Sequence, residues 1–343
     1  MNSSSGPGSR RRGRRLLGAA VAVGALMLPA TPAHADAARP GDVWSTVVRV
    51  VPGEAPVSAE VVGGDAFVRV TVTPGHEATV FDYQTPPQPY LRWLRDGTVL
   101  ENVHSKAHYQ NRSRYAAETG AEILGEPSWS TVAAGGVYAW HDHRVHFMAR
   151  SRATVTQWQL DLSVDGRPVA IAGFWGPAER PSLWPWLLLG VGLGAWALVA
   201  TVLATRAGAA IGAAAALFVL PIAVSLGRLP AAGGLVRTGG LVIAALVLAL
   251  AALVVRARPT AAALLGGGGI ALVVWSLRRL DVLTHGVLIT SMPPWWDRAS
   301  VAAALGIGVA VVGVAVRGLV APDDGRPARV DPPLADVAAR TVT

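Results

Sequence analysis

Five long apolar segments in the second half of the chain constrain its fold more than any other feature. They lie near residues 184–204, 208–226, 235–255, 260–277 and 299–317. A helix needs roughly 20 mostly apolar residues to cross the hydrocarbon core of a bilayer. Only 15% of the 343 residues are charged, whereas soluble proteins carry about 25%. The sequence therefore predicts an all-α membrane bundle of five helices over residues 183–317, with the lipid bilayer as its partner, and excludes a single soluble domain.

Residues 1–35 have the pattern of a secretory signal peptide. Arginines are concentrated in residues 10–15, the apolar run 16–28 follows, and Ala33-His34-Ala35 is typical of a cleavage site. We therefore expect residues 36–180 to form an extracytoplasmic domain of a multi-pass cell-membrane protein. Five crossings then place the tail, residues 318–343, in the cytoplasm, where its low apolar content predicts disorder.

Residues at the ends of the spans give unequal support for this orientation. Trp184 and Trp186 begin the first span, and Trp295 and Trp296 precede the fifth, so both pairs are expected at one membrane surface. Four arginines lie on the predicted cytoplasmic side and five on the outer side, which does not follow the positive-inside rule. The predicted orientation therefore depends on the signal peptide.

The net charge of +8 does not indicate nucleic-acid binding. Residues 36–182 are mildly acidic, with 13 basic and 16 acidic side chains, and much of the excess charge belongs to the signal sequence. A domain without a basic stripe lacks the electrostatic footprint of a nucleic-acid-binding protein. The chain has no cysteine, which excludes disulfides, thiolate metal sites and thiol nucleophiles.

Residues 36–180 have the pattern of an all-β domain. Apolar and polar residues alternate over 154–164, as in a strand with one buried face. Asp96-Gly97 and Asp165-Gly166 each separate two β-rich runs and predict hairpin turns. About eight short strands, with a segment over 136–140 similar to a tyrosine corner, predict an immunoglobulin-like sandwich.

The run from residue 140 to residue 148 is the densest group of candidate metal ligands. Imidazole and thioether groups are copper ligands, and every histidine and methionine after residue 35 is expected outside the membrane core. The candidate ligands are His141, His143, His146, Met148, His104 and His108, with His285 and Met292 as a candidate site at the membrane surface. We expect at least two of the first three histidines to bind copper, together with one further ligand from His104, His108 or Met148.

The conformation of this run decides between two interpretations. In an extended strand, His141 and His143 share one face, whereas His146 lies on the other, so the three could not bind one ion. In the structural alternative, Asp142 and Arg144 form an ion pair at a strand end and the imidazoles bond loop carbonyl groups. The sequence leaves both interpretations open.

The chain also resembles a group of actinobacterial membrane proteins. These have a signal peptide, an external β-domain with a W-H-D-H-R-x-H-x-M run, and about five carboxy-terminal spans; the matching residues here are Trp140 to His146 and Met148, with Tyr90-Leu91-Arg92 and Leu283-Thr284-His285. Phe147 stands where that group is expected to have tryptophan. A looser likeness to periplasmic copper-resistance proteins rests on layout and His/Met usage, without their amino-terminal histidine, since residue 36 is Asp. The resemblance implies the architecture and no reaction.

The sequence does not predict an enzyme or a transporter. It contains no G-x-S-x-G, H-E-x-x-H or P-loop motif, and the glycines at 266–269 favour helix packing inside a span. No charge lies in the middle of a span, which argues against ion-coupled transport. The apolar segment 283–294 is too short to cross a membrane and is flanked by charged residues, which predicts membrane anchoring, or a re-entrant or domain-docking loop. Metal handling is the predicted function, and the alternative is an envelope interaction module whose helices bind a partner membrane complex.

Overall fold

The computed structural model of the protein describes residues 40–111, 125–147, 154–203, 206–228 and 234–320. A β-domain comes first in the chain, and a helical domain with five apolar helices follows it. The predicted order of an all-β region before a five-helix membrane domain is confirmed at this level. The predicted signal peptide, Met148 and the chain beyond residue 320 lie outside the described residues.

Among the described residues of the β-domain, ten strands form two antiparallel sheets. The larger sheet has the order β1-β10-β9-β4-β5-β6-β7, and the smaller has the order β2-β3-β8. The strands are β1 Val43–Val51, β2 Val57–Val62, β3 Phe67–Val72, β4 Ala78–Phe81, β5 Pro89–Trp93, β6 Val99–Asn102, β7 Trp129–Ala133, β8 Val137–Trp140, β9 Thr156–Val164 and β10 Arg167–Pro177.

Both sheets contribute side chains to one apolar core. Val68 and Val70 of the small sheet and Trp93 and Leu160 of the large sheet belong to the same buried cluster. The alternation expected for 154–164 is confirmed in β9, where every second residue from Trp158 to Val164 is buried. Burying these apolar faces supplies the main free energy that holds the sheets together.

The two Asp-Gly hairpins form where the sequence predicts them. Asp165 has a φ of 48° and Gly166 a φ of 77°, the pair of positive angles that a type I′ turn requires. Gly97 has a φ of 83° in the turn between β5 and β6. These turns fix the pairing of β9 with β10 and of β5 with β6.

Where the structure describes the chain, one short helix lies in the β-domain and five long helices form the helical domain. The helices are α1 Lys106–Gln110, α2 Trp184–Leu203, α3 Ala207–Gly227, α4 Gly234–Val254, α5 Arg258–Leu277 and α6 Pro294–Val320, with a 3₁₀ helix at Leu280–Leu283. The predicted spans are confirmed as helices with small differences at their ends. Residues 318–320 are helical, although we expected the tail to begin there, because Leu319 and Val320 continue the apolar segment.

Glycines allow α6 to pack closely against α2 and α5. A methyl group on Gly190 of α2 would lie 3.0 Å from the Ala302 carbonyl oxygen, and one on Gly269 of α5 would lie 2.9 Å from the Gly308 oxygen. Small residues at such contacts let membrane helices approach each other. The packing role expected for residues 266–269 is confirmed.

Residues 284–293, between the 3₁₀ helix and α6, form a docking loop against the β-domain. Gly41 and Val287 exchange two backbone hydrogen bonds of 3.0 and 2.8 Å. The amide of Gly286 donates to Asp42 Oδ1 at 3.1 Å, and Arg180 Nη2 lies 2.7 Å from Asp42 Oδ2. Burial raises the pKa of Asp42, but its bonds from Arg180 and Gly286 outweigh burial and lower the pKa overall. The docking interpretation of segment 283–294 is therefore confirmed.

An ion pair fixes the helix ends beneath this loop. Arg279 Nη2 contacts both oxygens of the fully buried Asp297 at 2.8 and 2.7 Å. Arg298 donates to the carbonyl groups of Val282 and His285. The charged side chains of Arg279, Asp297 and Arg298 thus bind other groups of the protein. These contacts join the end of α5, the start of α6 and the loop.

Candidate functional site

The chain leaves the small sheet at Trp140 and forms a tight turn. The Asp142 carbonyl accepts hydrogen bonds from the amides of Val145 and His146, both at 3.0 Å. The extended conformation considered for residues 141–148 is therefore wrong for residues 141–146. A turn of this kind removes the alternation of faces that kept His146 apart from His141 and His143.

The turn brings three imidazole rings together, and we call His141, His143 and His146 the histidine cluster. The ring centroids of His141 and His146 are 4.7 Å apart, and those of His141 and His143 are 5.3 Å apart. His146 is fully buried, whereas His141 and His143 are half-buried. The cluster therefore extends from the interior of the β-domain towards its surface.

Backbone carbonyl groups between β2 and β3 hold two of these rings. His141 Nδ1 donates to the Ala66 carbonyl oxygen at 2.7 Å. His146 Nδ1 lies 3.0 Å from the Asp65 carbonyl oxygen and 2.7 Å from Asp65 Oδ2. Since a carbonyl oxygen only accepts, the Ala66 contact places the proton of neutral His141 on Nδ1 and leaves a lone pair on Nε2.

The second ring nitrogen of His141 is buried without a partner. Its Nε2 atom receives no hydrogen bond from any part of the chain that the structure describes. Burial and the adjacent His146 lower the pKa of His141 to about 4. The ring is therefore neutral at ordinary pH, and its Nε2 atom keeps a lone pair without a partner among the described residues.

His143 lies beside His141 in the cluster and contacts Tyr83. Its ring stacks on that of Tyr83, with centroids 6.3 Å apart and planes 26° apart. Its amide donates to the Tyr83 hydroxyl at 3.1 Å. Tyr83 thus fixes the backbone of the turn beside the His143 imidazole.

An ion pair between Asp142 and Arg144 stabilises the turn. Asp142 accepts from Arg144 Nε at 2.9 Å and Nη2 at 2.8 Å, and from Trp140 Nε1 at 2.9 Å. Burial raises the pKa of Asp142, but the Arg144 guanidinium and these bonds outweigh burial and hold the pKa well below its usual range. Arg144 also donates to the Phe81 carbonyl at 3.0 Å. The ion pair and the carbonyl bonds that the structural interpretation predicts are both present.

The other histidine candidates in the β-domain have contacts elsewhere. His104 Nδ1 donates to the Glu126 carbonyl at 3.0 Å, and His108 lies in α1 with its Nδ1 atom 2.9 Å from Glu101 Oε1. His104 precedes the N-cap of α1, so the two histidines do not share a helical face. Neither of these contacts joins them to the histidine cluster.

The two candidate residues at the membrane surface, His285 and Met292, contact different parts of the chain. His285 Nδ1 bonds the Asp281 carbonyl oxygen at 2.9 Å in the docking loop. Met292 packs against the apolar core of the helical domain. Their contacts explain both residues as parts of the loop structure.

The cluster is not assembled as a metal centre in the conformation described. Over residues 40–111, 125–147 and the helical ranges, no group of three or more His, Asp or Glu side chains is arranged to hold an ion. The rings are adjacent, but the Nδ1 atoms of His141 and His146 face the backbone of residues 65 and 66. Binding an ion would require the remaining nitrogens to turn towards one point.

Sequence reasoning missed the residues that orient the cluster. Asp65 and Ala66 follow two glycines, a pattern that indicates a turn but gives no link to histidines roughly 80 residues later. Tyr83 carries no local signal, because its role depends on the approach of β4 and the 140–147 turn. Only the Asp142–Arg144 pair was visible as a short-range charge pattern.

Comparison of the chain with protein-family models, curated proteins and solved structures finds no match. The geometry of the histidine cluster is therefore the basis for inferring a function.

Proposed function

We propose that the β-domain binds a transition-metal ion, with copper as the preferred metal, through the histidine cluster. The observation that supports this proposal is the buried Nε2 atom of His141, which has no partner in the described structure. A buried polar atom left unpaired costs about 1–3 kcal/mol. A metal ion bound to this nitrogen would remove that cost, since a metal ligand needs one ring nitrogen free.

The orientation of His141 also suits a ligand. Metal-binding histidines usually donate the other ring N–H to a carbonyl or carboxylate, which fixes the tautomer and the ring plane. The Nδ1 bond to Ala66 supplies this arrangement. Because the ring stays neutral down to a pH of about 4, His141 does not have to lose a proton to bind metal near neutral pH.

His143 is the proposed second ligand. Two imidazoles bound at about 2 Å through nitrogen place their ring centroids roughly 5 Å apart, close to the 5.3 Å between His141 and His143. In the proposal, His143 rotates so that one nitrogen faces His141 Nε2. Imidazole ligands suit copper, and the thioether of Met148, two residues after His146, would favour Cu(I).

Titration calorimetry of the full chain in detergent tests the proposal. Cu(II) is added to the wild type, to His141→Gln and to His76→Gln. Glutamine keeps an amide donor for the Ala66 carbonyl, and His76, paired with Asp165 at the β9–β10 turn, is a matched control outside the cluster. We expect micromolar or tighter binding in the wild type and the control, and at least 10-fold weaker binding in His141→Gln. No binding, or equal binding by all three, would exclude the proposed site.

We further propose that the β-domain is extracytoplasmic and that the carboxy terminus is cytoplasmic. The docking loop and the β-domain lie at the same end of the helices, opposite the end of α6. Arg279 pairs with Asp297 and Arg298 binds carbonyl groups, so contacts within the protein account for these two arginines at the outer end of the helices. A reporter fused after Thr343 should be active only in the cytoplasm.

The core shared by the two sheets supports an immunoglobulin-like sandwich as our proposal for the β-domain fold.

The second candidate function is association of the helical domain with a partner membrane protein. An apolar groove of about 490 Å³ lies between α2, α3 and α6, with Trp196, Ala214 and Ile307 in its lining. Small residues such as Ala214 favour a transmembrane helix of the partner as the occupant, because they permit close helix contact. Ala214→Leu should then reduce the native mass of a complex isolated in mild detergent. His141→Gln should leave that mass unchanged.

A further inference from the structure

The turn between β2 and β3 lies between the histidine cluster and the docking loop. On one side, the carbonyl groups of Asp65 and Ala66 accept from His146 and His141. These bonds join the end of the turn to two of the three rings. Any change in the ring positions therefore acts directly on the backbone of this turn.

The start of the same turn packs against the docking loop. Gly64 has a φ of +80°, and a methyl group at this position would collide with the side chain of Val287. A methyl group on Gly63 would lie 3.6 Å from Ile289 Cγ2. The two glycines thus place the turn backbone directly on the apolar side chains of the loop.

The docking loop is in turn fixed to the membrane helices. Leu288 and Ile289 belong to the buried core of the helical domain. The amide of Ser291 donates to the Ser225 hydroxyl at 2.9 Å, at the end of α3. The loop is therefore continuous with the helical domain on one side and with the β2–β3 turn on the other.

We propose that the β2–β3 turn couples the histidine cluster to the docking loop, so that metal bound by the cluster tightens the contact between the two domains. The metal part of this inference rests on the proposed function. A cation on His141 Nε2 makes the Nδ1 proton more positive and strengthens its bond to the Ala66 carbonyl. The turn is then held more firmly in the conformation that contacts Val287. Because coupling between sites is reciprocal, weakening the loop contact also weakens metal binding.

Hydrogen exchange of the full chain in detergent tests the coupling. Exchange is measured at residues 286–288 in the wild type, in His141→Phe, which lacks a donor for Ala66, and in His141→Gln, which retains one. The control variant is His76→Gln, and the control amides are those of β9. The wild type is also measured with and without Cu(II), while calorimetry on the same samples records whether copper binds.

We expect His141→Phe to exchange at least about 5-fold faster at residues 286–288, with a smaller effect in His141→Gln and none in His76→Gln. Unchanged exchange there in His141→Phe would overturn the coupling, as would an acceleration no larger than that in β9. Copper that binds without slowing exchange at 286–288 would also overturn it. Faster exchange in His141→Phe together with no copper binding would support the coupling and remove the proposed metal function, so the two can fail separately.

Discussion

His141 and Ala66 are joined by a hydrogen bond of 2.7 Å between Nδ1 and the carbonyl oxygen. This contact connects residues that lie 75 positions apart in the chain. It sets the imidazole tautomer, leaves a lone pair on Nε2 and links the histidine cluster to the β2–β3 turn. The metal proposal and the proposed domain coupling both depend on this one contact.

The stability of the β-domain should fall as the pH decreases from about 6.5 towards 4. His141 has an ordinary pKa of 6.5 and a folded-state pKa of about 4, so the unfolded state binds more protons in this window. The difference amounts to roughly 3 kcal/mol. Asp142, whose folded-state pKa is lowered, adds a further loss below its ordinary value of 3.8.

Thermal unfolding at several pH values between about 4 and 7 measures how the stability of the β-domain depends on pH. This range roughly spans the folded and ordinary pKa values of His141. His141→Gln should show a flatter curve than the wild type, because it lacks the group that titrates. His76→Gln should keep the slope of the wild type. Parallel curves for the wild type and His141→Gln would contradict the prediction.

Asp142→Asn should destabilise the β-domain by about 3–5 kcal/mol. The variant leaves the partly buried Arg144 guanidinium without its counter-charge and weakens the bond from Trp140. Asp161→Asn is the control, since Asp161 is exposed on β9 and bonds Gln159. Denaturant unfolding should show a change of about 0.5 kcal/mol or less in the control. Equal losses in the two variants would be inconsistent with the supporting role of the ion pair.

Gly64→Ala should be more damaging than Gly135→Ala. The two glycines have φ angles of +80° and +79°, so an alanine meets the same backbone strain of about 1–2 kcal/mol at each. A methyl group at 135 meets no atom of the described residues within 4 Å, whereas one at 64 collides with Val287. Gly64→Ala should therefore lower the melting temperature more than Gly135→Ala does. This difference should shrink when Val287→Ala is added to Gly64→Ala, because the smaller side chain removes the collision. An identical loss for Gly64→Ala and Gly135→Ala would exclude a tight loop contact.

Asp297→Asn should destabilise the helical domain by about 3–5 kcal/mol. The substitution leaves Arg279, which is largely buried, without its carboxylate partner at the junction of α5 and α6. Asp281→Asn is a suitable control, because Asp281 accepts bonds from Thr284 and His285 through its backbone carbonyl. Thermal unfolding in detergent should separate the two variants clearly. A loss in Asp281→Asn as large as that in Asp297→Asn would contradict this assignment.

Much of the fold was predictable because it depends on local patterns. The five spans follow from uninterrupted apolar length, and β9 follows from the alternation that ends at Val164. The hairpin at Asp165 follows from the residue types that tolerate positive φ. The pairing of β3 with the later strand β8 was not predictable, because it joins segments far apart in sequence.

The candidate site was predictable in composition but not in geometry. The density of histidines from His141 to His146 marks the correct segment. Their convergence depends on the turn at Asp142, which is set by distant partners such as Tyr83. His104 and His108 looked equally suitable as ligands, but their contacts with Glu126 and Glu101 exist only in the folded chain.

Pulsed electron paramagnetic resonance of the Cu(II)-loaded full chain tests the central claim most directly. The remote nitrogen of each coordinated imidazole modulates the echo, so the spectrum counts the histidine ligands. The account predicts at least two coordinated imidazoles in the wild type, one fewer in His141→Gln and no change in His76→Gln. A spectrum without coordinated imidazole, or one that is the same in the wild type and His141→Gln, would contradict metal binding through His141.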